Sequence, residues 1–291
     1  METNLAEEPL ILSASCSNTP GIVAAVSKAI FDMGGDIADL QQFDDHGTGR
    51  FFSRVVFSGA TAPIGAQKAR DLLAPVLAPF GMDWSLRARN ERRRVLIMVS
   101  RFDHCLADLL YRWHMGELNM EIAGIVSNYP RDIYPNLAFG EIPFHHLPIS
   151  KETKADQEAK LLSIVTEGRV DLVVLARYMQ ILSEEMTEHL AGRCINIHHS
   201  FLPGFKGAKP YHQAHERGVK LIGATAHYVT SDLDEGPIIE QDIERVSHRD
   251  TAEELVRKGR DIERRVLARA VRAHLEDRVL MNGMRTIVFP E

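Results

Sequence analysis

The chain has 291 residues, 45% of them apolar and 25% charged, and a formal net charge of −6. That length suits one large or two ordinary domains, and that balance excludes a disordered or fibrous protein. The mild acidity argues against nucleic acid as a main partner, and no apolar run is long enough to span a bilayer as a helix.

The opening stretch METNLAEEP is acidic and lacks the apolar core of a signal peptide. The three cysteines, Cys16, Cys105 and Cys194, form no C-x-x-C pair, so neither a disulfide framework nor a zinc knuckle is suggested. A reduced, cytoplasmic setting is expected.

In chain order, residues 10–15 (LILSAS) predict a strand. Residues 21–33 predict a helix, with Ile22, Val23, Val26, Ile30 and Met33 at helical spacing and Gly34 and Gly35 to stop it. Residues 37–43 and 51–57 predict strands around a turn of Asp, His, Gly and Thr. A helix over about residues 64–77 and a strand near 82–86 follow. The order β-α-β-β-α-β is that of the ferredoxin-like split βαβ unit, which sets a first domain at residues 1–88. Arg87, Arg89, Arg92, Arg93 and Arg94 then crowd together. Residues 89–94 are expected to be a solvated basic linker; the sharper alternative, an RNA or phosphate patch, lacks interleaved aromatics.

A second domain at residues 95–291 alternates differently. Residues 95–99 (VLIMV) are a continuous apolar run, as expected of a strand covered on both faces. A helix over about 105–114, a strand over 121–127, an amphipathic helix over 155–168 and a buried strand over 171–176 come next. Residues 183–190 predict a helix that Ser183 can cap, and residues 194–198 another strand. This alternation predicts an α/β, Rossmann-like, mostly parallel sheet with helices on both faces and ligands outside the carboxyl ends of its strands. A long charged helix is expected over residues 251–275.

Residues 194–242 carry the chemistry. Asn196 and His198 are two apart at a strand end and so share a face. Asp234 comes thirty-eight residues after Asn196, in the loop SDLDEG. Amide and imidazole N–H groups can hold an oxyanion, and a carboxylate can orient the imidazole or take a proton from water. The set suits attack of water on an acyl carbon; read alone, it equally suits an Asn and a His that cap loop backbone. Neither Ser200 nor Cys194 sits in a G-x-S-x-G elbow. His212 and His215, three apart near His198 and His199, have spacing compatible with a metal. The trio needs none, and no metal or other cofactor is expected. Lys206 and Lys209 flank Gly207, either to meet an anionic tail or to be solvated, while Trp84 and Trp113 are expected to pack.

The run N-I-H-x-S, then L-P, then F-x-G, then a D-x-G loop at that thirty-eight-residue spacing resembles the folate-dependent formyl-transfer fold of glycinamide ribonucleotide transformylase and methionyl-tRNA formyltransferase. The resemblance implies that Asn196, His198 and Asp234 are a catalytic trio. It implies a pterin site at Met179, Gln180, Ile181 and Leu182, closed by a loop with Leu233, Glu235 and Gly236, and a supporting His227 behind the trio. Within that fold, N-I-H-H-S-F-L-P, with His199 where the transferases usually carry Pro, looks like the formyltetrahydrofolate deformylases. So do P-Y-H-Q-A, E-R-G-V-K, I-G-A-T-A-H-Y-V, T-G-R-F-F and R-R-R-V. Residues 100–105, where the ribonucleotide transformylase cradles phosphate in a Gly-rich loop, hold no glycine.

This resemblance covers nearly the whole chain. It implies hydrolysis of 10-formyltetrahydrofolate to tetrahydrofolate and formate, balancing the one-carbon pool and supplying purine synthesis. It further implies an N-terminal ACT-like domain and a homo-oligomer, dimer or tetramer, with folate as the small-molecule partner. Two alternatives stand beside it: a formyltransferase to an amine acceptor, and a non-catalytic folate or amino-acid sensor. ACT domains often read C-P-D-x-x-G where this chain reads Cys16-Ser17-Asn18-Thr19-Pro20-Gly21. With Asn18 in place of the acid, an amino-acid effector site at Asn18, Gly21 and Ile22 stands against a role in dimerisation alone.

Overall fold

The computed structural model describes residues 8–204 and 210–291. Lys206, Gly207 and Lys209 lie outside them. The chain divides into two compact units: Met1–Glu91 with Glu276–Asn282 and Ile287–Glu291, and Arg92–Leu275 with Gly283–Thr286. Among the described residues no helix is long and apolar enough to cross a membrane.

The first unit runs β1 (Leu10–Ser17), α1 (Ile22–Asp32), β2 (Gly35–Asp45), β3 (Arg50–Gly59), α2 (Ala66–Leu77) and β4 (Asp83–Ala88). Its sheet order is β2-β3-β1-β4, antiparallel throughout, the ferredoxin-like arrangement the pattern predicts. Strand alternation explains its core. Leu10, Leu12, Phe51, Val55 and Phe57 share one face and pack on Ile22, Val26 and Ile30 of α1 and Ala69, Leu73 and Leu77 of α2. The chain's last residues rejoin this unit, so the expectation of one domain over residues 95–291 does not describe the structure. Polar anchors hold them there: Arg54 Nε donates to the Glu276 carbonyl at 3.0 Å, Asn282 Nδ2 to Asp45 at 2.6 Å, and Arg87 pairs with Asp277.

The second unit runs β5 (Arg93–Val99), α3 (His104–His114), β6 (Met120–Ser127), β7 (Phe144–His146), α4 (Lys154–Glu167), β8 (Leu172–Leu175) and α5 (Glu184–His189). It continues through β9 (Cys194–His198), α6 (Pro210–Glu216), β10 (Leu221–Tyr228), β11 (Ile238–Arg245) and α7 (Ala252–Leu275). The short strands β12 (Val279–Asn282) and β13 (Arg285–Val288) pair with each other near the C-terminus. Arg93 and Arg94 belong to β5 rather than to a linker. Arg94 donates from Nε to the Gly168 carbonyl at 2.6 Å, and its N–H donates to Asp171 at 2.7 Å, so these cations fasten a strand end.

The large sheet has the order β11-β10-β9-β8-β5-β6-β7. Its five strands from β9 to β7 are parallel, and β10 and β11 close one edge antiparallel. Leu96, Met98, Val173, Leu175 and Cys194 pack under α4 and α5, while α7 packs on β9, β10 and β11 and against α3. The order reverses beside β5, whose neighbours are β6 and β8. In open α/β sheets a crevice forms at such a reversal, outside the carboxyl ends of the strands.

Candidate active site

A cavity of about 710 Å³ opens at that reversal. Its lining comes from the segments just past β5, β8 and β9, from the loop after β10, and from α6 and α7.

Asn196 and His198 enter from β9 because their two-residue spacing puts both on one face. Antiparallel pairing sets His227 of β10 opposite Asn196, and Thr225 opposite His198. Asp234 arrives from the loop beyond β10 in a left-handed conformation, φ 58°, which Asp tolerates better than most residues. His198 Nδ1 lies 3.1 Å from Asp234 Oδ1. His198 Nε2 is buried and makes no hydrogen bond among the described residues. Partial burial raises the Asp234 carboxyl, but the hydrogen bond from His198, with the His227 ring close by, outweighs it and holds the group well below the usual carboxylate range. Asp234 is therefore a firmly ionised partner for the imidazole.

His227 sits behind the trio, 2% exposed. Its Nδ1–H donates to the Tyr228 carbonyl at 2.9 Å, so its Nε2 accepts from the Asn196 amide at 3.2 Å. This fixes the amide's rotation. The chain beyond His198 is pinned through Thr225, whose Oγ1 donates to the Ser200 carbonyl at 2.9 Å and accepts from Leu202 N–H at 3.0 Å.

Met179, Gln180, Ile181, Leu182 and Leu233 all line the cavity. Met179 is held by its N–H, which donates to Ser100 Oγ at 2.9 Å. Met179, Ile181 and Leu233 are 51%, 61% and 58% exposed, an apolar rim around a concave site. Glu235 and Gly236 do not reach the lining. Gly236 lies flush on β10: a Cβ there would meet the Tyr228 carbonyl oxygen at 1.7 Å, so the loop returns to the strand at that point and carries Glu235 outward. In the first unit, Ile22 is a core residue at 2% exposure, while Asn18 and Gly21 are exposed at the turn before α1.

The opposite wall of the cavity holds residues the sequence reading passes over. Glu263, 1% exposed on α7, accepts from His104 Nε2 and Tyr211 Oη, each at 2.8 Å, and faces Arg177 Nε at 3.2 Å. Burial raises the Glu263 carboxyl, but His104 and Arg177 more than offset it and leave the group below its ordinary range. His199 lies beside this cluster. Burial, reinforced by the Arg177 guanidinium, pushes its ring down to about 3, so it is neutral across the physiological range. His104, Cys105 and Glu263 place one ligand atom each within 4.8 Å, a spacing open to a cation. Here the Arg177 guanidinium already supplies the positive charge beside Glu263, and burial holds the Cys105 thiol well above its ordinary range.

Gly259 explains how Tyr211 gets in: a Cβ there would stand 2.1 Å from the Tyr211 ring. One sequence signal for this wall exists, since Glu263 falls on the apolar stripe of α7 with Leu255, Ile262, Val266 and Val271.

The formyl transferase family model matches residues 93–271. A formyltetrahydrofolate deformylase of Corynebacterium sp. (strain P-1) is 51% identical, covering 96% of this chain and 97% of the relative. The chain belongs to the formyltetrahydrofolate deformylase family. A formyltetrahydrofolate deformylase of Bacillus subtilis (strain 168) is 50% identical over 96% of this chain and 93% of its own. The crystal structure of formyltetrahydrofolate deformylase from Burkholderia mallei superposes with a TM-score of 0.92 at 53% identity, over 97% of this chain and 100% of that one. Deformylase relatives thus match both units, whereas the formyl transferase model matches within the second.

Proposed function

We propose that the chain hydrolyses 10-formyltetrahydrofolate to tetrahydrofolate and formate, using Asn196, His198 and Asp234. Family membership supports the reaction, and one observation supports the division of labour: His198 has Nδ1 engaged by Asp234 and Nε2 unpartnered in the wall of the cavity.

The pterin packs against Met179, Ile181 and Leu233, which brings the formyl group to the trio. A water molecule gives its proton to His198 Nε2 and bonds to the formyl carbon. One N–H of the Asn196 amide is committed to His227, and the other serves the developing oxyanion. The carbon–nitrogen bond then breaks, with the folate nitrogen taking the proton back from His198. Asp234 is too weak a base to take that proton itself, so its part is to orient the imidazole and stabilise its charged form.

The test is an assay with the folate as sole substrate. Stoichiometric formate is expected; formate only on addition of an amine would indicate a transferase. The exposed Phe31 and Phe43 of the first unit, 76% and 44%, support self-association into a homo-oligomer, which light scattering checks.

A further inference from the structure

Arg177 is unusual on four counts. It lies just past β8 with φ 65°, a left-handed conformation that a long side chain adopts only under constraint. It is only 9% exposed. It lines the cavity. Although Nε stands 3.2 Å from Glu263, neither Nε nor Nη1 makes a hydrogen bond among the described residues. A buried guanidinium with unused donors is held ready for an acceptor that the described residues do not provide.

Its surroundings favour a small anion. The Phe102 ring lies under two cations, with the guanidinium carbons of Arg177 and Arg260 5.9 and 5.8 Å from its centroid. Arg177 is deep, Arg260 is exposed, and both line the same cavity. Helix α3 opens beside them at His104, where the helix carries partial positive charge; its N-cap residue is Asp103, whose side chain makes no capping hydrogen bond. Glu263 is the carboxylate on this wall; its oxygens already accept from His104 and Tyr211, and it balances one arginine of the two. The trio is close by, since the His199 and His198 rings are 5.3 Å apart.

We propose that this wall is an anion subsite that receives the formate released by hydrolysis, with the Arg177 guanidinium donating to its carboxylate. The assignment rests on the hydrolytic reading. In that reaction water adds its oxygen to the formyl carbon, the carbon–nitrogen bond breaks, and the nitrogen leaves with a proton. The other water proton is lost from the formic acid, so the product bears a charge the formyl group lacked. A guanidinium recognises such a planar carboxylate through paired N–H donors. Drawing it to Arg177 separates it from the amine it has just left.

Formate binding is testable without turnover. Carbon-13 formate added to the full-length protein, with no folate present, is expected to show a broadened resonance that nitrate, a planar anion of similar shape, restores. Arg177→Met is expected to weaken formate binding by about tenfold or more, the loss of a charge-assisted contact. Arg260→Gln, at an exposed position that leaves the core intact, is expected to weaken it less. Turnover of the same preparations is scored separately. An enzyme that hydrolyses the folate yet leaves the formate resonance unchanged overturns the subsite. So do Arg177→Met and Arg260→Gln variants that both bind formate like the wild type. A protein that releases no formate from the folate overturns the hydrolytic reading and the assignment together.

Discussion

The apolar rim of the cavity and its charged wall are built in opposite ways. Met179, Ile181 and Leu233 stand half in solvent and come from two short loops. Arg177, His104, Tyr211 and Glu263 are gathered from β8's end, α3, α6 and α7, and each satisfies or charges the next. A ligand's ring needs only a surface to lie on, and exposed side chains provide it cheaply. Charges taken out of water need partners fixed in place, so the wall is tied to the packing of the whole unit. Substitutions on the rim should therefore change affinity and leave the fold alone. Substitutions in the wall should change stability first.

Between the two stands the trio, where chemistry alone should respond. Asp234→Asn removes the anion on His198 and is expected to lower kcat by roughly three to four orders of magnitude while the thermal transition stays in place. A fall in kcat of less than tenfold would mean that His198 works without the orienting charge of Asp234.

On the wall, Glu263→Gln leaves Arg177 buried without its counter-charge. A loss of about 3–5 kcal/mol of unfolding free energy is expected, read by chemical denaturation. An unchanged midpoint would mean that the wall is as loosely held as the rim.

His199 gives the wall a pH signature of definite sign. Its ring titrates near 3 in the fold against 6.5 when free, so between those values the unfolded chain binds a proton that the native chain refuses. Stability contributed at neutral pH is lost as the pH falls through that window, at up to about 1.4 kcal/mol per pH unit. His199→Gln should flatten this part of the melting-temperature profile; an equally steep profile would assign the acid sensitivity to other groups.

The smallest effect belongs to the rim. Met179→Ala should raise KM severalfold, on the order of 1 kcal/mol of lost apolar contact, with kcat and melting temperature held. A matching loss of stability would erase the distinction between rim and wall.

The same contrast governs what could be foreseen from the residues. The ferredoxin-like unit follows from alternation and turn chemistry, and the parallel sheet from β/α order, because these are local patterns. Asn196, His198 and Asp234 were legible through a two-residue spacing on a strand and a loop at a characteristic distance. Met179, Ile181 and Leu233 followed from the same resemblance. Glu235 and Gly236 did not keep their expected place, since how closely a loop returns to its strand depends on packing against Tyr228. Arg177 and Glu263 are far apart in the chain and meet only when α7 lies across the sheet. The apolar stripe of α7 marks Glu263 for burial, but neither it nor an arginine after a strand names its partner. The C-terminal residues, which return to the first unit through Arg54 and Arg87, were illegible for the same reason.

The central claim is that water, activated at His198, is the nucleophile. Running the reaction in oxygen-18-labelled water, with 10-formyltetrahydrofolate as the only other reactant, tests it most directly. Formate carrying one labelled oxygen is expected for each tetrahydrofolate formed, with little product of either kind from Asp234→Asn. Unlabelled formate, or tetrahydrofolate appearing without formate, would contradict it.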